Sequence, residues 1–392
     1  MSENIPINPD ILKWARQTAG MQLSEVAHKM GKDLETVSLW EKGISTPTYI
    51  QLEKLAYKVY KRPIALFFFP EPPKEETPRQ EFRTLPDQEI EKMSPRIYYL
   101  LKQARSMQIN LAELNDYTNP AKRNILHDLR FHTGTLVKKM AFQVREYLGI
   151  DLKTQCNWKT MDSAFKAWRN ALEEHGIFVF KEAFKDDELS GFCLHDQQFP
   201  LIYVNNSTSK SRQIFSLFHE LAHLLMGTGG IDTRNDEYID YLDGDERKIE
   251  IICNRFAGAF LVPDANFSRQ IANLKIDDAS ILSLAERFKV SREVILRKLL
   301  DRARVSKDYY TRKVEQWAEE AKKTRERKKT RESGGDYFAT KGAYLGEGYL
   351  SLAFSRYFQN KITINQLADY LGVKVKSIPG IESFFLNMEG RA

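Results

Sequence analysis

The sequence predicts a multidomain chain: an all-α helix-turn-helix domain at the amino end, an α+β domain in the middle, and a small, mainly helical module at the carboxyl end. Three observations predict it. Residues 8–70 carry helical apolar spacing broken by short turns; residues 161–263 pass from helical spacing to three short apolar runs and back; charged, apolar-poor stretches separate the blocks. A chain of 392 residues exceeds one ordinary core, and 42% hydrophobic content is enough to fold more than one.

Composition narrows the class. The amino terminus, MSENIPINPDILKWARQ, lacks the basic start and apolar run of a signal peptide, and no stretch approaches the length of a membrane helix. A cytoplasmic location is therefore expected, with no membrane partner. Cys156, Cys193 and Cys253 are far apart and odd in number, which argues against a disulfide framework and against a cysteine zinc site. A net charge of +6 permits contact with nucleic acid without demanding it.

In the first block (residues 8–70), Leu23, Val26, Ala27 and Met30 precede a turn at Gly31, and Val37 and Trp40 follow it, with Leu52, Leu55 and Ala56 beyond. This rhythm suits a helix-turn-helix, which presents its second helix to a major groove. From Ala27 and Gly31 through Glu41, Gly43 and Pro47, the segment resembles the phage-repressor (Cro/C1, XRE-type) helix-turn-helix family. That resemblance implies DNA-binding positions at Leu34, Glu35, Ser38 and Leu39. Two leucines offer no hydrogen bonds to bases, and Glu35 repels phosphate unless it meets a cytosine amino group. Double-stranded DNA and a protein therefore both stand as partners of this domain.

Residues 71–94 are rich in proline and charge and read as a linker. Helical spacing returns over 95–150, where the sequence assigns no chemistry. From Met161, the residues Ala164, Trp168, Ala171 and Leu172 suit an amphipathic helix closed by Gly176. The runs IFVF (177–180), SGFCL (190–194) and LIYV (201–204) then read as strands.

Next comes RQIFSLFHELAHLLM (212–226), with His219, Glu220 and His223 in the pattern HExxH. On a helix, residues four apart share a face, so both imidazoles can reach one ion with Glu220 beside it, as in many zinc hydrolases. Chance supplies this pattern in about one chain in a hundred of this length, so a third ligand has to decide. The acids from Asp232 to Glu246 lie in a hydrophilic stretch expected to be a solvated loop. Glu250 differs, because it opens EIICNRFAGAFLVP, whose Ile251, Cys253, Phe256, Ala257 and Phe260 read as a buried helix ending at Pro263. A helix, a small sheet and a metal-binding helix form the order expected of an α+β zincin.

The two runs together resemble the ImmA/IrrE family of zinc metallopeptidases, with Cys253 where an alanine is usual and with Asn254, Phe256, Ala257 and Pro263 in register. The resemblance implies Zn2+ held by His219, His223 and Glu250, and Glu220 as the general base activating a zinc-bound water. Two imidazoles and a carboxylate suit other divalent ions as well. A further polar group should steady the oxyanion; Tyr203 and His195 are the candidates on neighbouring strands, although such residues are more often structural.

The stretch 277–306 repeats a helix-turn-helix-like rhythm (Leu284, Ala285, Phe288, Val290, Val294, Leu296, Leu299), which recurs near Leu367, Ala368 and Leu371. Further DNA readers are one reading; packing of helical hairpins is the more economical one, and the resemblance places 277–306 in the peptidase domain, spanning 95–306 with its leading helices. Residues 307–335 form a charged helical connector, and 336–392 a small aromatic-rich module.

The chain thus reads as a zinc endopeptidase fused to a repressor-like domain. The resemblance implies a helix-turn-helix repressor as substrate, in mobile-element, stress or toxin-antitoxin-like regulation, and a homodimer is a further partner state. The alternative is a DNA-binding regulator or antitoxin whose metal site is structural or inactive.

Overall fold

The computed structural model describes residues 6–73, 94–186, 189–228, 230–233, 244–329 and 336–389. Most of the expected linker, most of the acid-rich stretch before residue 244, and Ser333–Gly335 lie outside the described residues. The chain divides into two compact units, residues 1–103 and 104–392.

The first unit contains α1 (Pro9–Thr18), α2 (Leu23–Met30), α3 (Leu34–Glu41) and α4 (Tyr49–Glu53). A π-helical stretch (Lys54–Tyr60) continues α4, and a 3-10 turn (Ile64–Phe68) follows. Asn8, Asp33 and Thr48 cap α1, α3 and α4 by accepting hydrogen bonds from first-turn N–H groups. Gly31, at φ 65°, ends α2 in the left-handed conformation that turns the chain into α3. Ile11, Val26, Val37, Leu52 and Phe67 fill one core, and Arg16 binds Glu41 through both carboxylate oxygens at 2.7 and 3.0 Å, tying α1 to α3.

Helices α5 (Pro95–Leu114), α6 (Ile125–Asp128), α7 (Val137–Leu148), α8 (Leu152–Asn157) and α9 (Met161–Glu174) come before the sheet. Strands β1 (Phe178–Glu182), β2 (Leu189–Leu194) and β3 (Leu201–Asn205) precede α10 (Lys210–Leu225), and β4 (Gly230–Thr233) follows it. The sheet order is β1-β3-β2-β4, with β1 parallel to β3 and the other neighbours antiparallel. Strand β4 corrects the expectation of a loop here. Its pairing with β2, Cys193 opposite Gly230 and Phe192 opposite Ile231, is a backbone ladder, which leaves no side-chain periodicity to read.

Alternation gives the sheet two faces. Val179, Cys193, Ile202 and Val204 join the helical core with α9 and α10. Phe180, Phe192 and Tyr203 form an aromatic layer on the other face. Helix α11 (Gly244–Leu261) packs against α10. It starts six residues before Glu250, so that residue sits inside the helix and does not open it as expected; the added turns are charged and exposed and carry no apolar signal. Trp168 of α9 meets Phe218 and Phe260 edge-on, with centroids 5.0 and 5.2 Å away, while those two rings stack at 4.1 Å. Three helices are thereby locked around one aromatic cluster.

The chain continues through α12 (Asp264–Ile271), α13 (Asp278–Phe288), α14 (Arg292–Leu300), α15 (Lys307–Lys329), α16 (Tyr337–Leu345), α17 (Glu347–Phe358), α18 (Ile364–Leu371) and α19 (Ile378–Glu389). Helix α16 packs on β1, and Tyr349 of α17 meets Phe180 edge-on at 5.3 Å, so the last helices cover the aromatic face of the sheet. Buried Arg169 fastens them. Its guanidinium donates to the carbonyls of Ala343 (3.1 Å), Leu345 (2.6 Å) and Val179, and to Glu173 (2.9 Å). Replacing Arg169 by Leu leaves these acceptors unmet and should cost about 3 kcal/mol. Urea unfolding checks the loss, and amide exchange over residues 337–358 should quicken; unchanged exchange would show that Arg169 does not hold these helices.

Candidate metal centre

Helix α10 begins on Ser209, whose Oγ accepts the N–H of Arg212 at 3.3 Å. Its Ile214, Leu217, Phe218 and Leu221 enter the core, while His219 and His223 share another face. Their Nε2 atoms lie 3.1 Å apart. Glu250, from α11, places Oε2 3.5 Å from His219 Nε2 and Oε1 3.3 Å from His223 Nε2. All three side chains are 1% exposed or less, so bulk water does not screen them from one another.

The remaining ring nitrogens fix the protonation pattern. His219 Nδ1 is 3.0 Å from Asn254 Oδ1, one turn beyond Glu250 on α11, and His223 Nδ1 is 3.3 Å from Thr228 Oγ1. Thr228 gives its own proton to the His223 carbonyl at 3.1 Å, and an amide oxygen can only accept. Both Nδ1 atoms therefore donate, which leaves both Nε2 lone pairs turned toward the Glu250 carboxylate. Acceptors gathered in a buried space repel one another unless a cation lies among them. Ligands 2.0–2.1 Å from a tetrahedral ion stand about 3.4 Å apart, and the three separations bracket that value. Two imidazoles and a carboxylate fit a divalent ion of the zinc type with one position left over.

Burial alone would raise the Glu250 carboxyl; positive charge on the His223 and His219 side of it, whether from protonated imidazoles or from a cation in the place of those protons, outweighs burial and holds the group well below the usual carboxylate range. Glu220, between the two histidines in sequence, is also fully buried. Burial and the neighbouring Glu220 carboxylate push the Cys193 thiol well up, so it stays protonated beside that carboxylate. One glycine admits the sheet to this helix: a Cβ on Gly230 would run into the His223 ring at Cγ and Cδ2, whereas one on Gly191 would crowd the Tyr203 carbonyl oxygen of the next strand at 3.1 Å and meet Ser216 and Glu220 at ordinary contact distance.

The structure thus brings His219, His223 and Glu250 together, and Glu220, next to His219 in the chain, is buried as they are. It does not bring Tyr203. Ile202 and Val204 belong to the core shared with α10, so Tyr203 points to the opposite face, where it stacks on Phe192 at 5.3 Å. His195 lies exposed after β2. Asn254, Thr228, Cys193 and Gly230 were not singled out as site residues from the sequence. Asn254 and Thr228 had a signal in their spacing: four residues after Glu250 and five after His223. In the first unit, Leu34 and Glu35 are exposed at the start of α3, while Ser38 and Leu39 are half-buried.

Residues 172–300 match the family model of the IrrE N-terminal-like domain of Peptidase_M78, and residues 12–56 match that of the helix-turn-helix family. The chain joins an XRE-type helix-turn-helix domain to an IrrE-like metallopeptidase domain. No curated protein matches it. The peptidase match takes in all four strands, α10 and α11, so the buried cluster lies wholly inside the IrrE-like domain.

If Asn254 and Thr228 set the tautomers, Asn254→Ala and Thr228→Val should each weaken zinc binding by about 10- to 100-fold. Gly230→Ala should weaken it further by displacing His223. Competition with a chromophoric chelator measures all three, and unchanged affinity in Asn254→Ala would refute the tautomer argument.

Proposed function

We propose that the IrrE-like domain is a zinc-dependent endopeptidase in which His219, His223 and Glu250 hold the ion and Glu220 is the general base. The observation carrying this reading is the convergence of two Nε2 lone pairs and a carboxylate in a buried space, with a second buried carboxylate, Glu220, on the helix that carries both histidines. When bound, zinc supplies a Lewis acid that polarises the scissile carbonyl and acidifies water. Glu220 takes the proton of the attacking water and passes it to the departing amine nitrogen. The Cys193 thiol stands near the Glu220 carboxylate, and both are fully buried. Strand β4 ends the sheet beside His223, so its outer edge is where an extended peptide can pair by backbone hydrogen bonds.

The substrate we assign is a helix-turn-helix repressor, cut in the cytoplasm to relieve repression. No helix among the described residues is long and apolar enough to cross a membrane. The first unit recruits that substrate, either on DNA or by pairing with a domain of its own kind. Leu34 is 53% exposed, and Ile44 and Ile50, which follow α3 in the chain, are 70% and 77% exposed, more apolar exposure than base reading needs; this favours the protein contact.

Glu220→Gln should keep stoichiometric zinc and lose about 10³-fold in cleavage of a repressor encoded beside this gene, whereas Glu250→Ala should lose the metal as well. Metal analysis and gel electrophoresis of the cleavage products check both, and undiminished proteolysis in Glu220→Gln would end the reading. Binding without any chelator-sensitive cut would favour the regulator or antitoxin. For the first unit, gel shifts on the promoter of this gene should show a complex weakened steeply by salt if DNA is the recruiting surface; no shift at low salt leaves the protein contact.

A further inference from the structure

A groove of roughly 3120 Å³ runs along the IrrE-like domain, walled on one side by the first turns of α10 and the outer face of α11, and on the other by α12, α14 and α15. Helix α11 has two faces. Glu250, Cys253, Ala257 and Phe260 pack inward, and Arg247, Ile251, Asn254 and Gly258 open to the groove. Asn254 lines the groove and also touches His219, so a polypeptide lying there is one side chain away from the metal centre.

The lining carries ten Lys and Arg side chains against four Asp and Glu, and the cations occur on both walls while the acids are confined to one. All four acids stand on the far wall. There Asp264 binds Lys298 and Arg302 at 3.0 and 2.6 Å, Asp301 binds Arg297 at 3.2 Å, and Glu320 binds Arg292 at 3.3 Å. The wall built by the two ligand-bearing helices has Arg212, Arg247 and Arg255 with Phe215, Ile251 and Ile252, and no acid among its lining residues. We infer that this groove selects an acidic, partly apolar segment of the substrate beside the cleaved bond. The inference rests on the endopeptidase reading for its link to cleavage.

The same surface does not suit a nucleic-acid backbone. Phosphates are met by uniformly basic surfaces, whereas the opposite wall here mixes its acids with Arg292, Arg297, Lys298, Arg302 and Lys322, and Asp264, Asp301 and Glu320 hold the first four of these in ion pairs. The α13–α14 pair, whose rhythm resembles a helix-turn-helix, has its Arg292 over the Trp317 ring at 4.5 Å and its Arg297 on Asp301, so both cations are committed within the protein.

The test uses the full-length, zinc-loaded Glu220→Gln protein and a fluorescein-labelled peptide in which glutamates are interspersed with alanine and leucine, followed by fluorescence anisotropy. At low ionic strength this peptide should bind at least about tenfold more tightly than its glutamine counterpart, with the margin shrinking as salt is added. Arg247 and Arg255 are exposed, so the double variant Arg247→Glu/Arg255→Glu should remain folded by circular dichroism and retain zinc, and it should lose the preference. Equal affinity for the two peptides, a preference that survives the double variant, or displacement of the labelled peptide by duplex DNA at lower concentration than by unlabelled peptide would each overturn the inference. Cleavage by the Glu220 protein is scored separately: cleavage without the preference sinks this inference alone, and the preference without cleavage sinks the endopeptidase reading alone.

Discussion

Holding three hydrogen-bond acceptors together in a place closed to water is the constraint on which the IrrE-like domain is built. Unopposed, the two Nε2 lone pairs and the Glu250 carboxylate would drive α10 and α11 apart. The Trp168, Phe218 and Phe260 cluster resists this by fixing those helices to α9, and Asn254 and Thr228 hold each imidazole in the orientation that aims its free nitrogen inward. The sheet contributes close approach. Gly230 lets β4 lie against His223.

How far the sequence revealed this depends on whether a feature is written in side chains or in backbone. His219, His223 and Glu250 were legible because helical spacing and an apolar run carry their own geometry. Strand β4 was not, since its four residues are held by a ladder to β2 and have almost no pattern of their own. The first turns of α11 were hidden for a related reason: charged, exposed residues look alike in a helix and in a loop. Tyr203 was misplaced toward the metal because strand alternation says which residues share a face but does not say which face meets which helix. The Cys193–Glu220 contact joins residues on different elements, and only packing could disclose it.

The carboxyl-terminal helices bear on the same sheet from its other side. By covering Phe180, Phe192 and Tyr203 they close the aromatic face, and Arg169 makes that closure specific by meeting carbonyls of both β1 and α16. The two ends of the sheet order therefore differ in use. Strand β1 is given over to internal packing, and β4 stands beside the histidine and glutamate cluster.

At Gly230 a single hydrogen atom is all that separates a sheet strand from a histidine of the metal cluster. Such a junction has no compliance: whatever shifts the strand by a fraction of an ångström shifts the imidazole with it. Strand position and metal affinity are then reciprocal quantities, each able to report on the other by thermodynamic linkage. The edge of the sheet is in this sense a lever on the ion, and position 230 is its fulcrum, closed to every side chain larger than hydrogen.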